Sequence, residues 1–249
     1  MHSYYYITST GAIFFLQRKI SLFQGGVMTK KTKENTKHKI IRVATHKFLE
    51  LGYTETSVKM VSDELGISKG NFTFHFPSKE HILAELVEML CKFQWKLMGE
   101  EADDGISSLL ALCFELMTMA SACEQNKVAK DFFVSTYQSP VCLAIIQKND
   151  TGRAKEVFAE YCPDWTDEQF REAETLVSGI EYATLNAIDE TVQLETRISG
   201  ALNTIMMIYN VPEEIRKRKI EKTLSLDYKG MGKRIFKEFR DYVEQMTAE

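Results

Sequence analysis

The chain has 249 residues, 44% of them apolar, and a formal net charge of −4, which is enough apolar mass to bury a core and too much for a disordered chain. Five widely spaced cysteines without a Cys-x-x-Cys pair exclude a disulfide framework. An acidic total speaks against a nucleic-acid partner unless the charge is unevenly spread.

Tyr4 to Leu16 is apolar, but no basic region precedes it and no Ala-x-Ala-like cleavage site follows. It also falls short of the ~20 residues of a membrane span. Gln24-Gly25-Gly26-Val27 can be encoded by the purine run of a bacterial ribosome-binding site just before Met28. Translation is therefore expected to start at Met28, with residues 1–27 an over-called or disordered extension kept out of fold reasoning.

From Thr36 to Leu51, the residues Ile40, Ala44, Phe48 and Leu51 share one helical face. Val58, Val61 and Leu65 do the same for a short second helix, with Ser57 as its N-cap and Gly66 at the left-handed position that ends it. Ser68 caps a third helix, Ile67 and Phe72 form its hydrophobic staple, and Phe72 and Phe76 face inward. Lys69, Gly70, Asn71, Thr73 and Phe74 are left nearer the outside. Pro77 stops this helix and Ser78 caps the next, on which Leu86, Leu90, Phe93 and Leu97 make one face. Further helices are expected at about 105–122, 128–137, 141–161, 166–188, 192–209, 212–224 and 231–246, with Asn149 to Gly152 offering a break in the third. Thr166 and Gln169 form a capping box, stapled by Trp165 and Phe170. No convincing β-hairpin signal or repeat appears. The expected fold class is all-α: a helix-turn-helix module at 28–82, then a helical body at 83–249.

The stretches Ser68-Lys69-Gly70-Asn71-Phe72, Thr73-Phe74-His75-Phe76 and Ser78-Lys79-Glu80 give this module a more specific identity. Residues 36–82 resemble the DNA-binding domain of the tetracycline-repressor (TetR) family of bacterial one-component regulators. The resemblance implies double-stranded DNA as partner and an all-α body that dimerises and binds a small-molecule effector. It assigns Thr56, Ser57 and Lys59 to phosphate at the N-terminus of the second helix. Ser68, Lys69 and Gly70 would approach the groove, Asn71 would reach base edges, and Thr73, Phe74, His75 and Lys79 would line the backbone. Thr73 and Phe74 depart from the family pattern, standing where it often has two tyrosine hydroxyl donors.

Charge supports a basic head. Residues 28–81 hold ten Lys/Arg against six Asp/Glu, whereas residues 82–249 carry a balance of −10. Lys30, Lys31, Lys33, Lys37 and Lys39 are expected in a mobile arm before the first helix.

The body carries no catalytic signature. All five histidines lie at or before residue 81 and all five cysteines after it, and neither Gly-x-Ser-x-Gly nor Gly-x-Gly-x-x-Gly occurs. No enzyme, cofactor or metal site is expected. Trp95, Phe114, Met117, Phe133, Tyr137 and Tyr182 are the candidates for an apolar ligand cavity, while Glu115 or Glu181 would select a cation if they pointed inward. Small residues Ser178, Gly179, Ala183 and Ala187, with Ser199, Gly200 and Ala201, mark two helices for a dimer interface that would set two recognition helices on a palindromic operator. The expected function is a cytoplasmic repressor released from DNA by a small apolar ligand, with no membrane partner. The alternative is a ligand- or protein-binding dimer whose helix-turn-helix no longer reads DNA.

Overall fold

The computed structural model describes residues 35–103, 107–187 and 191–248, and the side chains of all of these except 98–103. The expected extension at 1–27 and Lys30, Lys31 and Lys33 lie outside the described residues. Eleven helices follow in order among the described residues: α1 Thr36–Glu50, α2 Val58–Leu65, α3 Lys69–His75, α4 Lys79–Asp103, α5 Ser108–Gln125, α6 Lys127–Gln138, α7 Pro140–Val157, α8 Asp167–Leu185, α9 Leu194–Ile208, α10 Glu213–Leu224 and α11 Tyr228–Thr247. None of the described residues is in a strand, and the all-α expectation holds.

Short polar side chains begin most of these helices by accepting from backbone N–H groups left free in the first turn. Ser57 accepts from Met60 N, Ser68 from Asn71 N, Ser107 from Leu110 N and Ser139 from Cys142 N. The capping box at Thr166 and Gln169 forms in both directions. Gly66 ends α2 at φ 63°, a left-handed position that costs a residue without Cβ nothing.

Several helix bounds differ from expectation by three or four residues, and two departures have a clear local cause. α7 runs unbroken through Asn149 to Gly152. There Asn149 Oδ1 accepts from Trp95 Nε1 at 2.8 Å, and Thr151 Oγ1 donates to the Gln147 carbonyl, so turn-favouring side chains are spent on bonds that tolerate the helix. α11 begins at Tyr228, ahead of Met231, because the Asp227 carboxylate caps Gly230 N at 2.9 Å.

α5 is the centre of the body. Leu109, Leu110, Cys113, Leu116, Met117, Ala120 and Cys123 bury it on every side, as expected of a helix that is apolar all round. α4, α6, α8, α9, α10 and α11 all pack on it. All five cysteines are free and buried in this interior.

Asn35–Glu249 form one compact unit, because the head is tied to the rest by three helices. α4 starts beside the α1–α2 turn, where Lys79 Nζ donates to the Tyr53 and Thr56 carbonyls, and continues into the body. α6 packs on α1. α11 returns to α1, where Arg42 Nη1 donates to the Thr247 carbonyl at 3.1 Å and His46 Nε2 lies 2.9 Å from Glu244 Oε1.

Candidate nucleic-acid interface and interior cavity

The recognition unit is positioned by its own apolar residues. Phe72 and Phe76 are buried with Ile40, Ala44 and Phe48 of α1. That fixes which face of α3 looks outward: Ser68, Lys69, Gly70, Asn71, Thr73 and Phe74 are all exposed. Phe74 is 84% exposed, its ring edge-on to the partly buried His75. A phenylalanine held in water has no role in folding α3. Ser57 and Lys59 are exposed at the start of α2.

Two assigned residues are placed otherwise. Thr56 is 1% exposed, its hydroxyl donates to the Gly52 carbonyl at 2.7 Å, and its N–H is bonded to the Tyr53 carbonyl. It has no donor left for phosphate, and Ser57 alone presents a side chain at that helix start. Lys79 directs its ammonium to the carbonyls of Tyr53, Thr54 and Thr56 at 2.8, 3.2 and 2.9 Å, with the Tyr53 ring 4.3 Å away. Its three donors are used, and burial lowers its pKa. Lys79 is a knot that holds the α1–α2 turn to the start of α4. Lys37 and Lys39, expected in the arm, belong to α1, and Lys37 pairs with Glu85 of α4 at 2.7 Å.

The same turn is clamped from the body. Asp131 of α6 accepts from Thr54 N at 2.9 Å and from the Thr54 hydroxyl. Gly52 lies at φ 100°, and a Cβ there would stand 2.8 Å from Asp131 Oδ2, so the close approach requires glycine. A second link runs from Ser139 Oγ to Glu80 Oε1 at 2.6 Å, joining the α6–α7 corner to the first turn of α4.

One interior cavity, of about 50 Å³, lies among α4 to α9. Of the six aromatic and methionine candidates, Phe133 and Tyr137 line it. The other four lie elsewhere: Trp95 is bonded to Asn149, Met117 is buried core, Phe114 packs partly buried against the core, and the Tyr182 hydroxyl accepts from Gln138 and Asn186. Their apolar character is spent on packing.

Of the polar lining, sequence reasoning singled out Glu115 and Glu181 and missed Asp150, Arg153 and Glu174. Arg153, 4% exposed, is held by Glu115, with Nη1 to Oε1 at 3.1 Å and Nη2 to Oε2, and Asp150 Oδ1 stands 3.6 Å from Nη1. Glu174, also 4% exposed, accepts from the Tyr209 hydroxyl, and Glu181 accepts from the Tyr137 hydroxyl at 3.0 Å. Burial pushes the Asp150 and Glu174 carboxyls up to about 6 and about 7, and Glu181 well above the usual range; neighbouring acids add to each shift. A helical signal for these residues exists: Glu174 and Glu181 fall on the stripe of Phe170 and Val177, and Asp150 and Arg153 on that of Ile146 and Val157. Charged residues at stripe positions are the mark that was overlooked.

The outer strips of α8 and α9 are apolar and open. Leu176 and Met207 are exposed, as are Gly179, Ala183 and Gly200, while Ser178, Ala201 and Ile205 face inward. The small residues are thus divided between an outer strip and internal packing. Among the described residues, no three carboxyl, thiol or imidazole groups converge to hold a metal ion, and no helix is long and apolar enough to cross a membrane.

Residues 40–86 match the family described as bacterial regulatory proteins, tetR family. Over 52 residues the chain is 38% identical to the uncharacterized HTH-type transcriptional regulator YerO of Bacillus subtilis (strain 168), a stretch amounting to 21% of this chain and 18% of that protein. It aligns at 19% identity and a TM-score of 0.41 with the crystal structure of a gamma-butyrolactone receptor (ArpA-like protein), over 80% of this chain and 95% of that one. It aligns likewise with the TetR family protein CprB from S. coelicolor A3(2), at 21% identity and a TM-score of 0.41, over 82% of this chain and 97% of that one.

Proposed function

We propose that the chain, whose residues 40–86 match the bacterial regulatory proteins of the tetR family, is a cytoplasmic, dimeric repressor that leaves its operator when a small molecule enters the body. The head, residues 28–82, reads a palindromic duplex, and the body, residues 83–249, dimerises and senses. The reading is carried by the outer face of α3, where Lys69, Asn71, Thr73 and an 84% exposed Phe74 stand on a helix anchored by Phe72 and Phe76. Lys69 supplies charge to phosphate, Asn71 hydrogen bonds to base edges, and Phe74 apolar contact with sugar or a thymine methyl. Ser57 and Lys59 meet the backbone at α2. The outer strips of α8 and α9 supply the dimer interface, which sets the two recognition helices about 34 Å apart.

Release follows from how the cavity is built. Val87, Leu90, Cys91 and Gln94 line it from α4, and Phe133 and Tyr137 from α6. The same two helices hold the head, α4 through Lys79 and α6 through Asp131. A ligand that prefers a wider cavity shifts the equilibrium toward a different head spacing only to the extent of that preference.

The test is binding of the full chain to duplexes from around its own gene and to scrambled duplexes, across a salt series. Tight, sequence-specific binding with a protected palindrome is expected. Equal, salt-sensitive binding to both duplexes places the operator elsewhere, and no binding at low salt overturns the reading. The occupied donors of Thr56 and Lys79, with Phe74 lacking a hydroxyl, favour in that event a ligand- or protein-binding dimer.

A further inference from the structure

The charges lining the cavity do not balance. Glu115 and Arg153 answer one another through two bonds. Asp150 leans on the same guanidinium and on Asn149 Nδ2 at 3.0 Å. Glu174 and Glu181 accept from the neutral hydroxyls of Tyr209 and Tyr137. Arg153 is the one cationic side chain of the lining, against four carboxyls. One guanidinium shared among four carboxyls leaves these acids short of positive charge, which is costly in a buried site. A second gap points the same way: Arg153 Nε, equally buried, has no hydrogen-bond partner. The arrangement therefore lacks a component that brings a positive nitrogen to the acids and an oxygen acceptor to Arg153.

The apolar part of the wall is aromatic. Phe133, Tyr137, Phe158 and Tyr209 all line the cavity. Ring faces together with carboxylates suit an ammonium carried on an organic frame better than a hydrated metal ion. Resting on the reading of this cavity as the effector site, we infer that it receives a compact organic cation bearing an aromatic or branched apolar group and a hydroxyl or carbonyl oxygen. Glu174 and Glu181 hold the ammonium, Arg153 Nε donates to the oxygen, and the rings enclose the rest. At about 50 Å³ the cavity has room for a few waters. A ligand of that size requires the lining to move outward, and Val87, Leu90, Cys91 and Gln94 of that lining belong to α4, the helix that joins the head.

Ionisation follows binding. Glu174 is faced by Asp150 and Arg153 of α7, Glu181 of its own helix, Glu115 of α5, Tyr137 of α6 and Tyr209, with no histidine among them. Burial raises these carboxyls toward neutral pH, so part of their protons remain there, and an arriving ammonium favours the charged form, so protons leave as the cation enters. Affinity rises as pH rises through about 6 to about 7.

Phenylethanolamine, styrene glycol and mandelate share one carbon frame and end in an ammonium, a hydroxyl and a carboxylate. Each is titrated calorimetrically into the full chain, without DNA, in two buffers of different ionisation enthalpy. The ammonium is expected to bind about tenfold or more above the diol, with proton release, and mandelate not at all. Glu174→Gln should lose about tenfold in affinity and most of the proton release, and Glu181→Gln, at a partly buried position, provides a second variant should the first not fold. Equal or tighter binding of the diol or mandelate, no binding of any of the three, or cation binding untouched by both variants overturns the assignment. If the cation binds as expected but leaves DNA affinity unchanged, the effector reading fails and the cation site stands.

Discussion

Replacing Glu174 by Gln tests whether the cavity holds a buried, unmatched acid. Glu174 is 4% exposed and its carboxyl is pushed from 4.5 to about 7, first by burial and then by Asp150. The folded chain therefore binds this proton more tightly than the unfolded chain does. The resulting stability is fully present below pH 4.5 and is lost as pH rises to about 7. At about 1.4 kcal/mol per pKa unit, the loss between pH 5 and pH 8 amounts to about 2.5 kcal/mol as an upper value, since the neighbouring acids share the titration. Glutamine does not ionise, and its Oε1 can still accept from the Tyr209 hydroxyl. Any constant cost of its buried NH2, about 1–3 kcal/mol, is the same at every pH. The quantity to read is thus the change with pH in the gap between variant and parent. Urea unfolding at fixed protomer concentration, from pH 5 to pH 8, should show the gap moving about 2 kcal/mol in favour of Glu174→Gln. A gap that stays constant across that range would refute a raised pKa and remove the electrostatic basis of the cation site.

Lys69→Ala and Lys79→Ala should differ in kind. The first should lower DNA affinity about tenfold at low salt and reduce the salt slope by about one, with thermal stability unchanged, whereas the second should cost about 1–2 kcal/mol of folding stability because it frees three carbonyls of the α1–α2 turn. Indistinguishable salt slopes and melting temperatures would show that the distinction is wrong. Phe74→Ala should leave stability within about 0.5 kcal/mol and weaken operator binding; unchanged binding would remove Phe74 from the interface. Asp131→Ala should speed amide exchange at Thr54 and weaken operator binding while leaving cation binding intact, and protection at Thr54 equal to the parent's would count against the clamp. Leu176→Glu places a charge on the outer strip of α8 and should give a monomer in sedimentation, whereas a persistent dimer would move the interface elsewhere.

Much of the fold was legible because its signals are local. Ser57, Ser68, Gly66 and the Thr166–Gln169 box act within a few residues of themselves, and the structure places each where its cap geometry requires. Phe72 and Phe76 were legible for the same reason. Lys79 was not: its position fitted a phosphate contact, but its three acceptors lie 23 to 26 residues away along the chain and come together only in the folded turn. The apolar candidates for the cavity share that problem, since an aromatic side chain at helical spacing is equally suited to core or cavity. Glu115 and Glu181 were foreseen as acids that could point inward, but Asp150 and Glu174 were hidden by the habit of assigning charge to solvent, although Glu174 occupies the same stripe as Phe170 and Val177.

The Asp131 clamp bears on how freely this head could be transplanted. Thr54 takes its acceptors from α6, the α1–α2 turn has no Cβ at Gly52 because Asp131 fills that space, and α1 is gripped by Thr247 and Glu244 from the last helix. A chimera that grafts the recognition unit onto a foreign body would leave these three grips empty unless the recipient supplied a carboxylate at the corresponding point of its own sixth helix and acceptors for Arg42 and His46 from its last. Under the proposed function, a new effector is therefore better sought by altering the cavity wall than by exchanging heads.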